Sequence, residues 1–93
     1  MYYRMTVMQY KDRDDLLKYA DSIKDQFKSL PGLQSMQAID IDPENNKSCT
    51  ISCYDSKENA DSAMEKVHQI MAGMADMMVG PPERMEGDVF WEM

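Results

Sequence analysis

Histidine and tryptophan occur once each in this chain of 93 residues, at His68 and Trp91, and cysteine only twice, at Cys49 and Cys53. That scarcity argues against a zinc centre, which needs a second ligand pair beside a single C-x-x-x-C. In a strand the two cysteines would share a face about 13 Å apart, well beyond the roughly 7 Å a disulfide spans. Both are therefore expected reduced, packed as small apolar side chains. No apolar run approaches the ~20 residues of a membrane span. The opening "MYYRMTVMQY" lacks a basic region followed by a long apolar stretch, so no signal peptide is read and a cytoplasmic protein is expected. Basic clusters are missing too. The net charge is −7 and the cations are scattered among acids, which disfavours nucleic-acid phosphates and anionic membranes as partners. No Ser-His-Asp spacing, phosphate-binding glycine loop, dinucleotide fingerprint or H-E-x-x-H is present. "DIDPEN" lacks the glycine and distal glutamate of a calcium loop. The expectation is no metal and no cofactor.

What is present fits one domain, residues 1–93. So short a chain buries only roughly 60–65% of its unfolded surface, which makes self-association a favoured outcome. "YYRMTVMQ" reads as a strand with Tyr3, Met5 and Val7 on one face and Tyr2, Arg4, Thr6 and Met8 on the other. Apolar bulk on both faces implies neighbours on both sides. Leu16, Ala20, Ile23, Phe27 and Leu30 recur at steps of three and four, the stripe of an amphipathic helix capped by Asp12 or Asp14. "LPGL" ends it. Leu33 to Asp42 and Ser48 to Tyr54 read as a hairpin joined by "PENNK". A second helix begins after Ser56 and is expected to run to Met78, with Gly73 a weak point inside it. Arg84 to Glu86 read as loop, and "GDVFWEM", Gly87 to Met93, as the last strand. The order β-α-β-β-α-β predicts an α+β, ferredoxin-like fold: a four-stranded antiparallel sheet with two helices on one face. The other face needs a cover, and the economical one is a homodimer with sheets packed face to face.

On three stretches, "LPGL", "ISCYDSKENADSA" and "MEGDVFWEM", the chain resembles the dimeric α/β-barrel superfamily, and within it the antibiotic-biosynthesis-monooxygenase-like domains. Nearly the whole chain takes part. The resemblance implies a pocket between sheet and helices and an activity from a family that includes cofactor-free oxygenases of polycyclic phenols, quinol oxygenases and haem-degrading enzymes. The haem-degrading members use an Asn, a Trp and a His. This chain offers His68, carries Tyr54 where the Trp is expected, and has no Asn on its first strand.

Five methionines fall within Gln69 to Met85. Met71 and Met74 share a helical face with Met77 or Met78, which suits helix core, pocket lining or a soft Cu(I) site. Core is favoured, since no Cys or His stands among them. His68, at the edge of the same stripe, can serve as general base, as haem ligand or as a solvated cap of the core. Tyr3, Tyr54 and Trp91 come from neighbouring strands and can stack on a flat ring or simply pack. Arg4 and Arg84 can meet an anionic substrate. Equally, Arg4 can pair with a strand acid while Arg84 stays solvated. Two functions follow. One is a cofactor-independent oxygenase of a small aromatic or quinone-like molecule, with His68 as base, Tyr3, Tyr54 and Trp91 placing the ring, and Arg4, Met71 and Met74 lining the site. The other is a non-catalytic dimeric module that binds a small apolar or aromatic ligand, or serves a stress or regulatory role.

Overall fold

Strand β1, Tyr2–Gln9, is the axis against which the rest of the chain is laid. Its two central-sheet neighbours are both antiparallel to it: β3, Lys47–Tyr54, and β4, Glu83–Asp88. β2, Leu33–Asp42, pairs with β3 on the far side, giving the order β2-β3-β1-β4. Helices α1, Arg13–Lys28, and α2, Lys57–Ala72, complete the chain. The computed structural model describes residues 1–93 in full. The topology is the expected ferredoxin-like β-α-β-β-α-β, and no helix is long and apolar enough to cross a membrane.

Each helix starts where its side chains satisfy orphan amides. The Asp12 carboxylate accepts the Asp15 N–H at 3.1 Å, and the Ser56 hydroxyl accepts the Asn59 N–H at 3.2 Å. Gly32, in the turn after α1, sits at φ +71°, and a Cβ there would run into the Asp55 carboxylate and the Asn59 side chain. The Asp55 N–H donates to the Gly32 carbonyl at 2.9 Å, and the Asn59 amide donates to Asp55 at 2.7 Å. The glycine turn and the acid-Ser entry to α2 are thus two halves of one joint.

Two boundaries differ from expectation. α2 stops at Ala72 and the chain tightens into a 3-10 turn over Ala75–Met77. The cause is Gly73. Its bare Cα lies against the Tyr19 hydroxyl, which donates to the Ile70 carbonyl at 2.8 Å, while that carbonyl takes the Gly73 N–H at 3.2 Å in a tightened last turn. The last strand is Glu83–Asp88, so Arg84 to Glu86 are strand, and Val89 to Met93 lie beyond it. The expected loop at Arg84 to Glu86 is therefore strand, and the expected strand at Gly87 to Met93 is strand only as far as Asp88. Pairing decides this: β4 faces Tyr2 to Val7, and past Asp88 only the Val89 N–H still finds β1 backbone, at Met1.

The core has two clusters on the helix-facing side of the sheet. Tyr2, Leu30, Tyr54, Ala60 and Ala63 make one, and Met8, Ile23, Ile70 and Met74 the other. Phe27 packs against both. Of the methionines in and just after α2, Met74 is core, with Met71 and Met78 half-buried at its edge. Cys49 and Cys53 are free and stand opposite Val7 and Tyr3 on the uncovered face.

Replacing Gly32 with alanine adds both the left-handed strain and the collision with Asp55 and Asn59. A loss of about 2–3 kcal/mol is expected in urea unfolding. A smaller loss in Gly32→Ala made on an Asn59→Ala background would show that the joint, and not backbone strain alone, carries the cost.

Candidate functional site

The helix-facing phase of the two central strands is built from short side chains at mid-sheet. Thr6 on β1 stands opposite Thr50 on β3, and Ser48 and Ser52 share the same phase as Thr50. Leu16 and Phe27 from α1 and Val67 and Met71 from α2 span this floor but do not fill the space above it. A cavity of about 840 Å³ results, within the range of small-molecule sites. It explains why α1 fully buries only Ile23 although its stripe is complete: the other stripe residues look into open volume.

Five of the seven residues singled out from the sequence line this cavity: Arg4, Tyr54, His68, Met71 and Met74. Tyr3 does not. It belongs to the opposite phase of β1, beside Cys53, on the uncovered face of the sheet. Trp91 does not either, because the sheet ends before it and its side chain is 69% exposed. The site residues that sequence reasoning missed are the hydroxyls at positions 6, 48, 50 and 52. Their signal was available in "SCTISCY", where Ser48, Thr50 and Ser52 alternate with Cys49, Ile51 and Cys53. Small hydroxyls on the helix-facing phase of a strand leave volume unfilled between sheet and helices.

Arg4 is a wall of the cavity but not a free cation. Its Nε donates to Glu86 at 2.7 Å, Nη1 to the Ala60 carbonyl at 2.9 Å, and Nη2 to Asp61 at 3.3 Å. The guanidinium carbon also lies 5.9 Å from the ring centroids of Tyr2 and Tyr54. With the side chain 5% exposed, such saturation is what makes burial of the charge tolerable. The Arg4 hydrogen bond holds the Glu86 carboxyl below its ordinary value of 4.5, against an opposing push from partial burial. Burial raises the Tyr54 phenol, so it is neutral at neutral pH.

His68 is exposed at the rim, and its Nε2 lies 3.4 Å from Arg84 Nη2. A guanidinium can only donate, so Nε2 is the accepting atom wherever this long, exposed contact is a hydrogen bond. Arg84 Nη1 contacts the Met64 sulfur at 3.1 Å. No three His, Cys, Asp or Glu side chains converge to hold a metal ion. The residue set does not fit haem degradation: Tyr54 is sealed in the core at 1% exposure, and the cavity-facing phase of β1 carries Tyr2, Arg4, Thr6 and Met8, with no Asn.

No family model and no curated protein sequence matches the chain. Solved structures do. SnoaB, a cofactor-independent oxygenase from Streptomyces nogalater, superposes with a TM-score of 0.82 at 7% identity, over 99% of this chain and 95% of its own. A Nitrosomonas europaea protein described as a candidate antibiotic biosynthesis monooxygenase gives 0.74 at 16%, covering 98% and 100%. A dimeric ferredoxin-like protein from an uncultured marine organism gives 0.77 at 19%, covering 100% and 98%. The fold is therefore that of the antibiotic-biosynthesis-monooxygenase-like proteins. At these identities the likeness speaks for fold alone.

Glu86 binds protons less readily folded than unfolded. Its contribution to stability is therefore complete above pH 4.5 and is lost as the pH falls through the lowered folded value. Thermal melts are expected to show Tm falling below pH 4.5, with a shallower fall in Glu86→Gln. Arg4→Met strands Glu86 and the Ala60 carbonyl, and is expected to cost about 2–4 kcal/mol at neutral pH.

Proposed function

We propose that the chain acts as a cofactor-independent oxygenase of a small aromatic or quinone-like molecule held between sheet and helices. The observation that carries this reading is the cavity of about 840 Å³ with apolar walls, a hydroxyl floor and one imidazole at its rim. Met71 and Met74 supply a deformable apolar wall, Tyr54 and Arg4 close the end of the cavity, and the Thr6 and Thr50 hydroxyls orient ring oxygens. His68 takes a proton from an activated ring methylene and the resulting carbanion reacts with dioxygen. Two C–H bonds break. One oxygen atom becomes a ring carbonyl, the other leaves as water with both hydrogens, and four electrons pass from carbon to oxygen. The protein's share is orientation, exclusion of water and the base. SnoaB's description as a cofactor-independent oxygenase supports the same reaction class.

One observation favours a second reading, a non-catalytic binding module: no carboxylate touches His68 to fix its ring for proton transfer. Oxygen-electrode assays with a panel of anthrone-type substrates, which carry such a methylene, separate the two. Uptake is expected, falling roughly 100- to 10,000-fold in His68→Ala. A folded protein that consumes no oxygen across the panel leaves the binding module in possession.

We further propose a homodimer formed through the uncovered sheet face. Tyr3, Met5, Val7, Cys49 and Ile51 are half-buried there or nearly so, and Ile39 and Met85 are 44% and 51% exposed. So continuous an apolar surface is a liability unless another copy covers it, and the dimeric ferredoxin-like neighbour uses the same fold. Sedimentation equilibrium at micromolar concentration is expected to give the dimer mass, and Ile51→Lys the monomer mass. A monomeric unaltered protein would remove the proposal.

A further inference from the structure

The cavity has a sign, and it is the reverse of the chain's. The protein carries 17 acids against 10 lysines and arginines. The cavity is lined by Arg4, Lys24, Lys28 and Arg84, with Asp21 the one carboxylate. Arg4 is consumed by Glu86, Asp61 and a carbonyl. Lys28 leans to Asp25 at 3.9 Å, while Lys24 and Arg84 form no ion pair.

Register places Arg84 at the end of a row that crosses the whole sheet. Arg84 on β4 stands beside Thr6 on β1, Thr6 beside Thr50 on β3, and Thr50 beside Ala38 on β2. At strand spacings near 4.8 Å the row is about 14 Å long. It begins in a cation, passes two hydroxyls and ends in a methyl group. Above the cationic end stands His68, and above the remainder lie Leu16, Ala20 and Phe27. Arg84's direct contacts are a thioether and an imidazole, and the carboxylate whose field it feels, Glu86, is hydrogen-bonded to Arg4 instead.

Building on the ligand-site reading above, we infer that the cavity takes an apolar, ring-bearing molecule with one anionic group, and that Arg84 is the residue that selects for the anion. The ring system lies along Thr6 and Thr50 toward Ala38. The anion replaces the weak His68 and Met64 contacts of Arg84 with charge-assisted hydrogen bonds. That exchange frees Nε2 of His68 to face the bound molecule. Arg4, nearer the core, already has its charge matched by Glu86 and Asp61 and is the weaker candidate for an added anion.

Two fluorescent probes of one skeleton test the inference on the full-length protein: anilinonaphthalene sulfonate, an anion, and phenylnaphthylamine, its neutral counterpart. Both are expected to bind saturably and to be excluded by Ala20→Trp, which fills the cavity from the stripe of α1 that faces it. The sulfonate is expected to bind roughly 10-fold more tightly at low salt. In Arg84→Gln that preference disappears while the affinity for the amine changes less than about twofold, and Lys24→Gln keeps most of the preference. Equal binding of the two probes, or a preference that survives Arg84→Gln or follows Lys24, overturns the role of Arg84 and leaves the cavity as a ligand site. Absence of binding by both probes, or binding that ignores Ala20→Trp, overturns the ligand site and this inference together.

Discussion

One guanidinium ties the architecture together. Arg4 rises from the central strand and reaches the last strand through Glu86 and the second helix through Asp61 and the Ala60 carbonyl. Those elements enter the chain far apart, and no apolar contact fixes them with comparable direction. A buried charge with all three guanidinium nitrogens hydrogen-bonded and aromatic rings on its flanks strongly restricts the geometry around it. Tyr2 and Tyr54 pack beside it, and Ala60 and Ala63 are small enough to let α2 descend onto the sheet there.

The same anchoring creates the site. α2 is held down at the Arg4 end and is bound to α1 at the other through Tyr19, Ile70 and Gly73. Between these supports the floor drops to threonine and serine. Had Thr6 and Thr50 been leucine, the two core clusters would merge and no ligand would fit. The cavity is thus a deliberate shortfall of side-chain volume on a rigid floor, the form in which small-molecule sites usually occur.

Most of the fold was legible because periodicity reports burial directly. The phase of Tyr2, Arg4, Thr6 and Met8, the caps at Asp12 and Ser56, and the turn at Gly32 all carry local physical causes. Legibility failed where a distant partner decides. The end of α2 depends on Tyr19, which lies far away along the chain. Strand character at Arg84 and Glu86 depends on Arg4 and on free β1 backbone. For the site, His68, Met71, Met74, Tyr54 and Arg4 could be placed by helix and strand phase. Tyr3 falls to the other face by that same rule, and Trp91 lies past Asp88, where β1 has no more backbone to pair with β4.

Strand β2 breaks register twice, between Leu33 and Ser35 and again between Asp40 and Asp42. Such bulges bend and twist a border strand, and its outward amides then no longer form the straight template another chain could copy. Open-ended growth of the sheet by addition of further strands is blocked along that margin. Edge-to-edge extension, the route to a fibre, is thereby disfavoured at β2.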